Sequence, residues 1–152
     1  MPALSWRQTA ALPEFGLSGL PAKLDTGARG TALHATAIAV LGDRVTFSLD
    51  LPDGPPRTRL RCEASLADLR RVTSSNGAAE ERPFIRTRLA LGGLEPRMVE
   101  VSLTGRRLMR FPLLVGRAAL QAWGVLVDPN EPRPEPAQPD HAFPGSCNQV
   151  RP

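Results

Sequence analysis

Lys23-Leu24-Asp25-Thr26-Gly27-Ala28 is the stretch whose reading decides the fold of this chain. A short apolar run, Ala22 to Leu24, ends on a carboxylate. Two residues later a glycine permits a tight turn with close backbone approach, and the threonine between them carries a hydroxyl able to bond across to a matching loop. Two such loops set face to face would bring two carboxylates together. Acids that close cannot both ionise, so they share a proton: one activates water while the other polarises a carbonyl. Asp-Thr-Gly occurs once in the 152 residues, so the pair requires a second copy of the chain with the site on a twofold axis.

Working outward, the segments upstream of residue 129 are short, rich in β-branched or alternating residues, and separated by turn signals. Strands are expected at Leu4 to Leu12, Ala22 to Leu24, Thr31 to Val40, Arg44 to Leu51, Thr58 to Ala64, Phe84 to Leu91, Arg97 to Leu103 and Pro112 to Val115. Phe84, Arg86 and Arg88 alternate with Ile85, Thr87 and Leu89, and Gly92-Gly93 suits a hairpin turn into Arg97 to Leu103. One helix is predicted, over Arg117 to Trp123, with Gly124 as its stop, and a second short turn at Leu66 to Arg71. Seven of the sixteen prolines fall between Pro129 and Pro152, where neither helix nor ladder is sustained. The expected organisation is one mostly-β domain over residues 1–128 and a Pro-rich, disordered tail over 129–152.

A companion motif gives the Asp25 triplet its meaning. Leu113-Leu114-Val115-Gly116-Arg117-Ala118-Ala119-Leu120 is an apolar segment, a glycine, then a helix start. Together with Trp6-Arg7, Leu12-Pro13, Lys23 to Arg29, Ala32-Leu33-His34-Ala35, Ser75-Asn76-Gly77, Glu81 to Ile85, Thr87, Leu91-Gly92-Gly93, Arg106, Met109 and Val127-Asp128-Pro129, it resembles the bacterial retropepsin-like aspartic endopeptidases once labelled ATP-dependent zinc proteases. The likeness runs from about residue 5 to 129. It departs from the family's habit at Gly30-Thr31, where two hydroxyl residues are usual, and in the tail.

The resemblance implies a closed acid-protease β-barrel with one short C-terminal helix. It implies Asp25, Thr26 and Gly27 as the catalytic loop and a segment carrying Leu114 and Gly116 passing beside it. Ser65 to Pro83, with Ser75, Asn76 and Gly77 at its middle, takes the place of a flap that closes over substrate. Retroviral relatives by fold pair an acidic residue, two positions after the catalytic glycine, with the arginine of the second motif. Here those places hold Arg29 and Arg117, so that ion pair is impossible and a differently built homodimer is expected. Arg29 beside Ala28, and Arg82 from the flap side, would favour acidic side chains. Relatives are associated with glutamate ligases that extend a ribosomal protein, which makes a glutamylated protein or peptide the implied substrate.

Composition sets the remaining limits. The formal charge is +4, and every basic residue except Lys23 is arginine, which favours an anionic partner. The arginines are scattered and there is no tyrosine, so nucleic acid is not the expected partner. No run of residues is long and apolar enough for a membrane span and the N-terminus lacks a signal-peptide pattern, so a cytoplasmic location is expected. Cys62 and Cys147 are far apart and are read as unpaired thiols. With no HExxH, no Cys/His cluster and no phosphate-binding glycine loop, no metal and no cofactor are expected; His34 is read as packed and hydrogen-bonded. Two alternatives to an active peptidase are a non-catalytic module of the same fold that binds acidic peptides and an arginine-rich RNA-associated protein.

Overall fold

The computed structural model describes residues 2–50, 59–73, 77–105, 110–130 and 148–150. In chain order the elements are β1 (Ala3–Ser5), β2 (Arg7–Leu12), β3 (Leu17–Leu24), β4 (Thr31–His34), β5 (Thr36–Leu41), β6 (Arg44–Asp50), β7 (Arg59–Ser65), β8 (Asp68–Thr73), β9 (Ala79–Leu91), β10 (Arg97–Thr104), β11 (Leu113–Val115), α1 (Arg117–Trp123), β12 (Leu126–Asp128) and β13 (Asn148–Val150).

Hydrogen bonding runs β10-β4-β11-β3-β2-β9, and β9 pairs again with β10, so six strands close into a barrel. Closure removes the unpaired edges an open sheet would leave. The alternation of β9 sets its orientation: Ile85, Thr87, Leu89 and Leu91 are fully buried, while Arg86 and Arg88 face out. The same core takes Leu33 from β4, Val101 and Leu103 from β10, and Leu113 and Val115 from β11. A second sheet, β13-β7-β6-β5, packs its Val45, Phe47 and Leu49 into that core, with Phe15 and Phe47 meeting edge to face at 5.6 Å. The short β1 pairs in parallel with β12, so the two ends of the barrel sequence are tied within one chain.

The strands expected at Leu4 to Leu12 and Thr31 to Val40 each divide in two, β12 and β13 lie where no strand was expected, and three further features depart from the sequence expectations. β3 begins at Leu17, where the strand was expected only from Ala22, and so takes in Gly19 and Pro21. Leu24 donates its amide to the Trp6 carbonyl, so by alternation Pro21 turns its nitrogen away from β2, on the side where β11 pairs only with Ala22 to Leu24. The missing N–H therefore leaves no ladder bond unmade. The turn expected at Leu66 to Arg71 is instead β8, and β9 starts at Ala79, so the connection between Ser65 and Pro83 is a β-hairpin rather than a loop. Cross-strand pairing from Asp68↔Phe84 to Thr73↔Ala79 overrides the local turn preference.

The third departure is covalent. Cys62 is buried and disulfide-bonded, which corrects the reading of two free thiols. The other cysteine, Cys147, lies outside the described residues, as does the tail over 131–147. β13 nevertheless lies antiparallel to β7, with Asn148 opposite Arg61. A strand pairing between residues so distant in sequence leaves no trace in cysteine spacing.

α1 forms where expected. Gly124 stops it in the left-handed conformation (φ 66°), where a glycine is needed, and donates to the Gln121 carbonyl. Among the described residues no helix is long and apolar enough to cross a membrane.

Candidate active site

The end of β3 and the end of β11 run side by side, with Leu114 opposite Lys23 and Val115 opposite Leu24. The next residue, Asp25, donates its amide to the Val115 carbonyl at 2.9 Å. From there the chain turns. Gly27 donates its amide to Asp25 Oδ1 at 2.8 Å, and Ala28 donates to the Asp25 carbonyl at 3.3 Å. Asp25 is half-buried, while Thr26 and Gly27 are exposed. A carboxylate held at one oxygen by a backbone donor and still open to solvent suits proton transfer at that place.

The loop is then sewn to the start of α1. Arg117 and Ala118 donate their amides to the carbonyls of Ala28 (2.7 Å) and Arg29 (3.0 Å), so the first orphan N–H groups of the helix are satisfied by the loop itself. Gly116 donates its amide to Thr31 Oγ1 at 3.2 Å. The Arg117 guanidinium reaches back and donates to the Thr26 carbonyl at 3.0 Å. Gly116 is buried against Gly30, with no space for a side chain.

The expected site residues therefore divide by place. Asp25, Thr26, Gly27, Ala28 and Arg29 share one turn with Gly116, while Leu114, half-buried in β11, leads into it. Arg29 is exposed on that turn. Gly77 lies exposed at the hairpin tip with a positive φ of 85°; Ser75 and Asn76 lie outside the described residues. Arg82, on β9, directs its Nε to Glu80 Oε1 at 2.5 Å, so a substrate carboxylate would have to compete with Glu80. Glu80 also accepts from the Thr104 hydroxyl at 2.8 Å; that bond first, and Arg82 second, hold its carboxyl below the usual carboxylate range.

Two contributors were not singled out from sequence. Thr31, one of the residues where the family pattern is broken, supplies the hydroxyl that takes the Gly116 amide. Arg70, on β8, grips Glu100 with both terminal nitrogens (2.6 and 3.0 Å) and Asp68 with Nε (2.6 Å), and lies over the Phe84 ring at 4.3 Å. It pins the hairpin to β10, and no motif marks it. His34 is buried at the end of β4 with Nε2 3.3 Å from Asp50 Oδ2. Among the described residues no group of three or more His, Cys, Asp or Glu is placed to hold a metal ion.

Comparison with known proteins gives this geometry a family. The profile described as "Retropepsin-like aspartic endopeptidase RimB" matches residues 3–137. A "Probable alpha-L-glutamate ligase" from Shewanella pealeana is 36% identical over 125 residues, which is 80% of this chain and 27% of that protein. A protein of the same description from Desulfotalea psychrophila is 32% identical over 123 residues, 78% of this chain and 26% of its own length. The chain thus spans about a quarter of the curated relatives it matches. Among solved structures, the protein Lpg0085 of unknown function from Legionella pneumophila superposes with a TM-score of 0.68 at 27% identity, covering 84% of this chain and 93% of that one.

Proposed function

This chain belongs to the RimB-like family of retropepsin-like aspartic endopeptidases, and from that premise we propose that it is an aspartic peptidase assembled from two protomers, each contributing one Asp25. The observation that carries the reading is Asp25 itself: a half-buried carboxylate on a tied-down turn, with Gly27 donating to one of its oxygens. Set opposite a second copy, the pair shares one proton. The ionised partner takes a proton from water, the water oxygen attacks the scissile carbonyl carbon, and the protonated partner donates to the carbonyl oxygen. Collapse of the tetrahedral intermediate expels the amine with a proton returned from the dyad. Thr26, exposed at the apex of the turn, meets the partner loop, and the β8–β9 hairpin covers the substrate.

The substrate we propose is an acidic or glutamylated protein or peptide. Arg29 stands exposed four residues after Asp25 on the same turn, and curated relatives described as "Probable alpha-L-glutamate ligase" match this chain over only 27% of their length. A homodimer acting in the cytoplasm completes the proposal.

The test is hydrolysis of acidic and polyglutamyl peptides by the chain and by Asp25→Asn. Loss of cleavage in a folded Asp25→Asn protein is expected; equal cleavage by both would remove the assignment. The ligase descriptions favour one second reading, a non-cutting module that presents acidic chains to such a ligase. It predicts peptide binding that survives Asp25→Asn and no turnover by either protein.

A further inference from the structure

We infer that Arg117 is a positioning residue that acts on Asp25 through a single peptide group, the one joining Thr26 to Gly27. The inference rests on the peptidase reading for its catalytic consequence only. The carbonyl of that peptide accepts from Arg117 Nη1 at 3.0 Å, and its N–H, on Gly27, donates to Asp25 Oδ1 at 2.8 Å. One rigid plane is thus held by a cation at one end and meets the carboxylate at the other.

A cation on an amide oxygen draws electron density toward that oxygen and leaves the N–H more positive. Hydrogen bonds in such a chain strengthen one another. Gly27 therefore becomes a better donor to Asp25 than an unassisted amide. The same bond fixes the peptide plane, so Oδ1, and with it the direction of Oδ2, is set within one protomer. Arg117 is well anchored for this task, because its own amide is bonded to the Ala28 carbonyl and its helix starts against Gly30. Arg29, exposed on the turn, and Lys23, half-buried before it, are the other nearby cations in sequence. For neither does the structure show a bond to this peptide. With Arg29 in place of an acidic residue, Arg117 has no retroviral-type carboxylate partner, and its guanidinium serves the loop instead.

The experiment compares the full chain with Arg117→Met, which keeps the length of the side chain and removes the donor, and with Arg117→Lys, which keeps a cation. The first readout is the Gly27 amide proton resonance. It is expected to move upfield in Arg117→Met, less so in Arg117→Lys, and to stay in place in Arg29→Met, which removes charge but not the bond. The second is the kinetic split: kcat falls roughly ten- to a hundredfold in Arg117→Met, the scale at which a misplaced catalytic group costs rate, with KM within about twofold and partial recovery in Arg117→Lys. An unchanged Gly27 resonance in whichever Arg117 variant is folded overturns the inference, as does an equal shift in Arg29→Met. Asp25→Asn is assayed alongside: if it cleaves like the parent chain, the peptidase reading fails, while the Gly27 resonance still decides the role of Arg117.

Discussion

Gly116 and Gly30 touch backbone to backbone: a Cβ built on Gly116 would lie 2.2 Å from the Gly30 carbonyl oxygen and 2.8 Å from the Arg29 carbonyl carbon. Neither neighbour is the end of a flexible side chain, so nothing there can swing aside. The contact is what lets α1 begin directly against the Asp25 turn. Gly116→Ala should therefore push the loop from its place, destabilise the chain by about 1–3 kcal/mol as overpacking does, and abolish cleavage. Thermal unfolding alongside a peptide assay checks both; a variant as stable and active as the parent would show that the loop can yield.

Thr26 gives a test of assembly. Its side chain is exposed at the turn, and the proposed dimer places two such hydroxyls across the axis. A neutral hydrogen bond contributes about 1 kcal/mol, and symmetry doubles it. Thr26→Ala should weaken dimerisation by about 2 kcal/mol, roughly thirtyfold in dissociation constant. Sedimentation equilibrium measures this. An unchanged association constant would place the dimer contact elsewhere.

The hairpin should loosen in acid. The Thr104 hydroxyl, then Arg82, hold the Glu80 carboxyl low, and the Arg70 guanidinium, then the Leu69 amide, do the same for Asp68. A group that binds its proton less readily when folded adds stability that is fully present above the unfolded value, near pH 4.3 for about a normal glutamate, and is lost as the pH falls through the folded one. The protection of the Ala79 to Arg82 amides against hydrogen exchange, taken relative to the intrinsic rate at each pH, is therefore expected to be flat above about pH 5 and to fall below it. Glu80→Gln should lower the protection there at neutral pH and leave only the acid response from Asp68. A flat profile in the parent chain down to strong acid would exclude these carboxylates as the clasp.

Phe47 tests how far the second sheet belongs to the core. It is completely buried and stacks edge to face on Phe15, which lies between β2 and β3. Phe47→Ala should cost about 3–5 kcal/mol, read as a lower urea midpoint with an unchanged slope. A loss below about 1 kcal/mol would mean that the second sheet contributes little to holding the barrel.

Much of this architecture could be read from residue order alone. The alternation of Phe84 to Leu89 placed Ile85, Thr87 and Leu89 on one face because side chains in a strand alternate, and all three are buried. The helix over Arg117 to Trp123 and its glycine stop were local signals that needed no partner. The Asp-Thr-Gly triplet and the Gly116-Arg117 pair were likewise legible, since both are contiguous and chemically restrictive.

What only the folded chain decided depends on meetings between distant residues. β8 is a strand because β9 pairs with it, although its own residues suggested a turn. Pro21 sits inside β3 because the neighbouring ladder starts one residue later. Cys62 is bonded rather than free, and Arg82 is held by Glu80 rather than waiting for substrate. The residue type of Arg117 was plain from the start, but its partner, the Thr26 carbonyl, was not: a backbone acceptor 91 positions away has no sequence signature. Local chemistry therefore singled out the Asp25 turn, while long-range hydrogen bonds, which depend on three-dimensional register, determined how that turn is held.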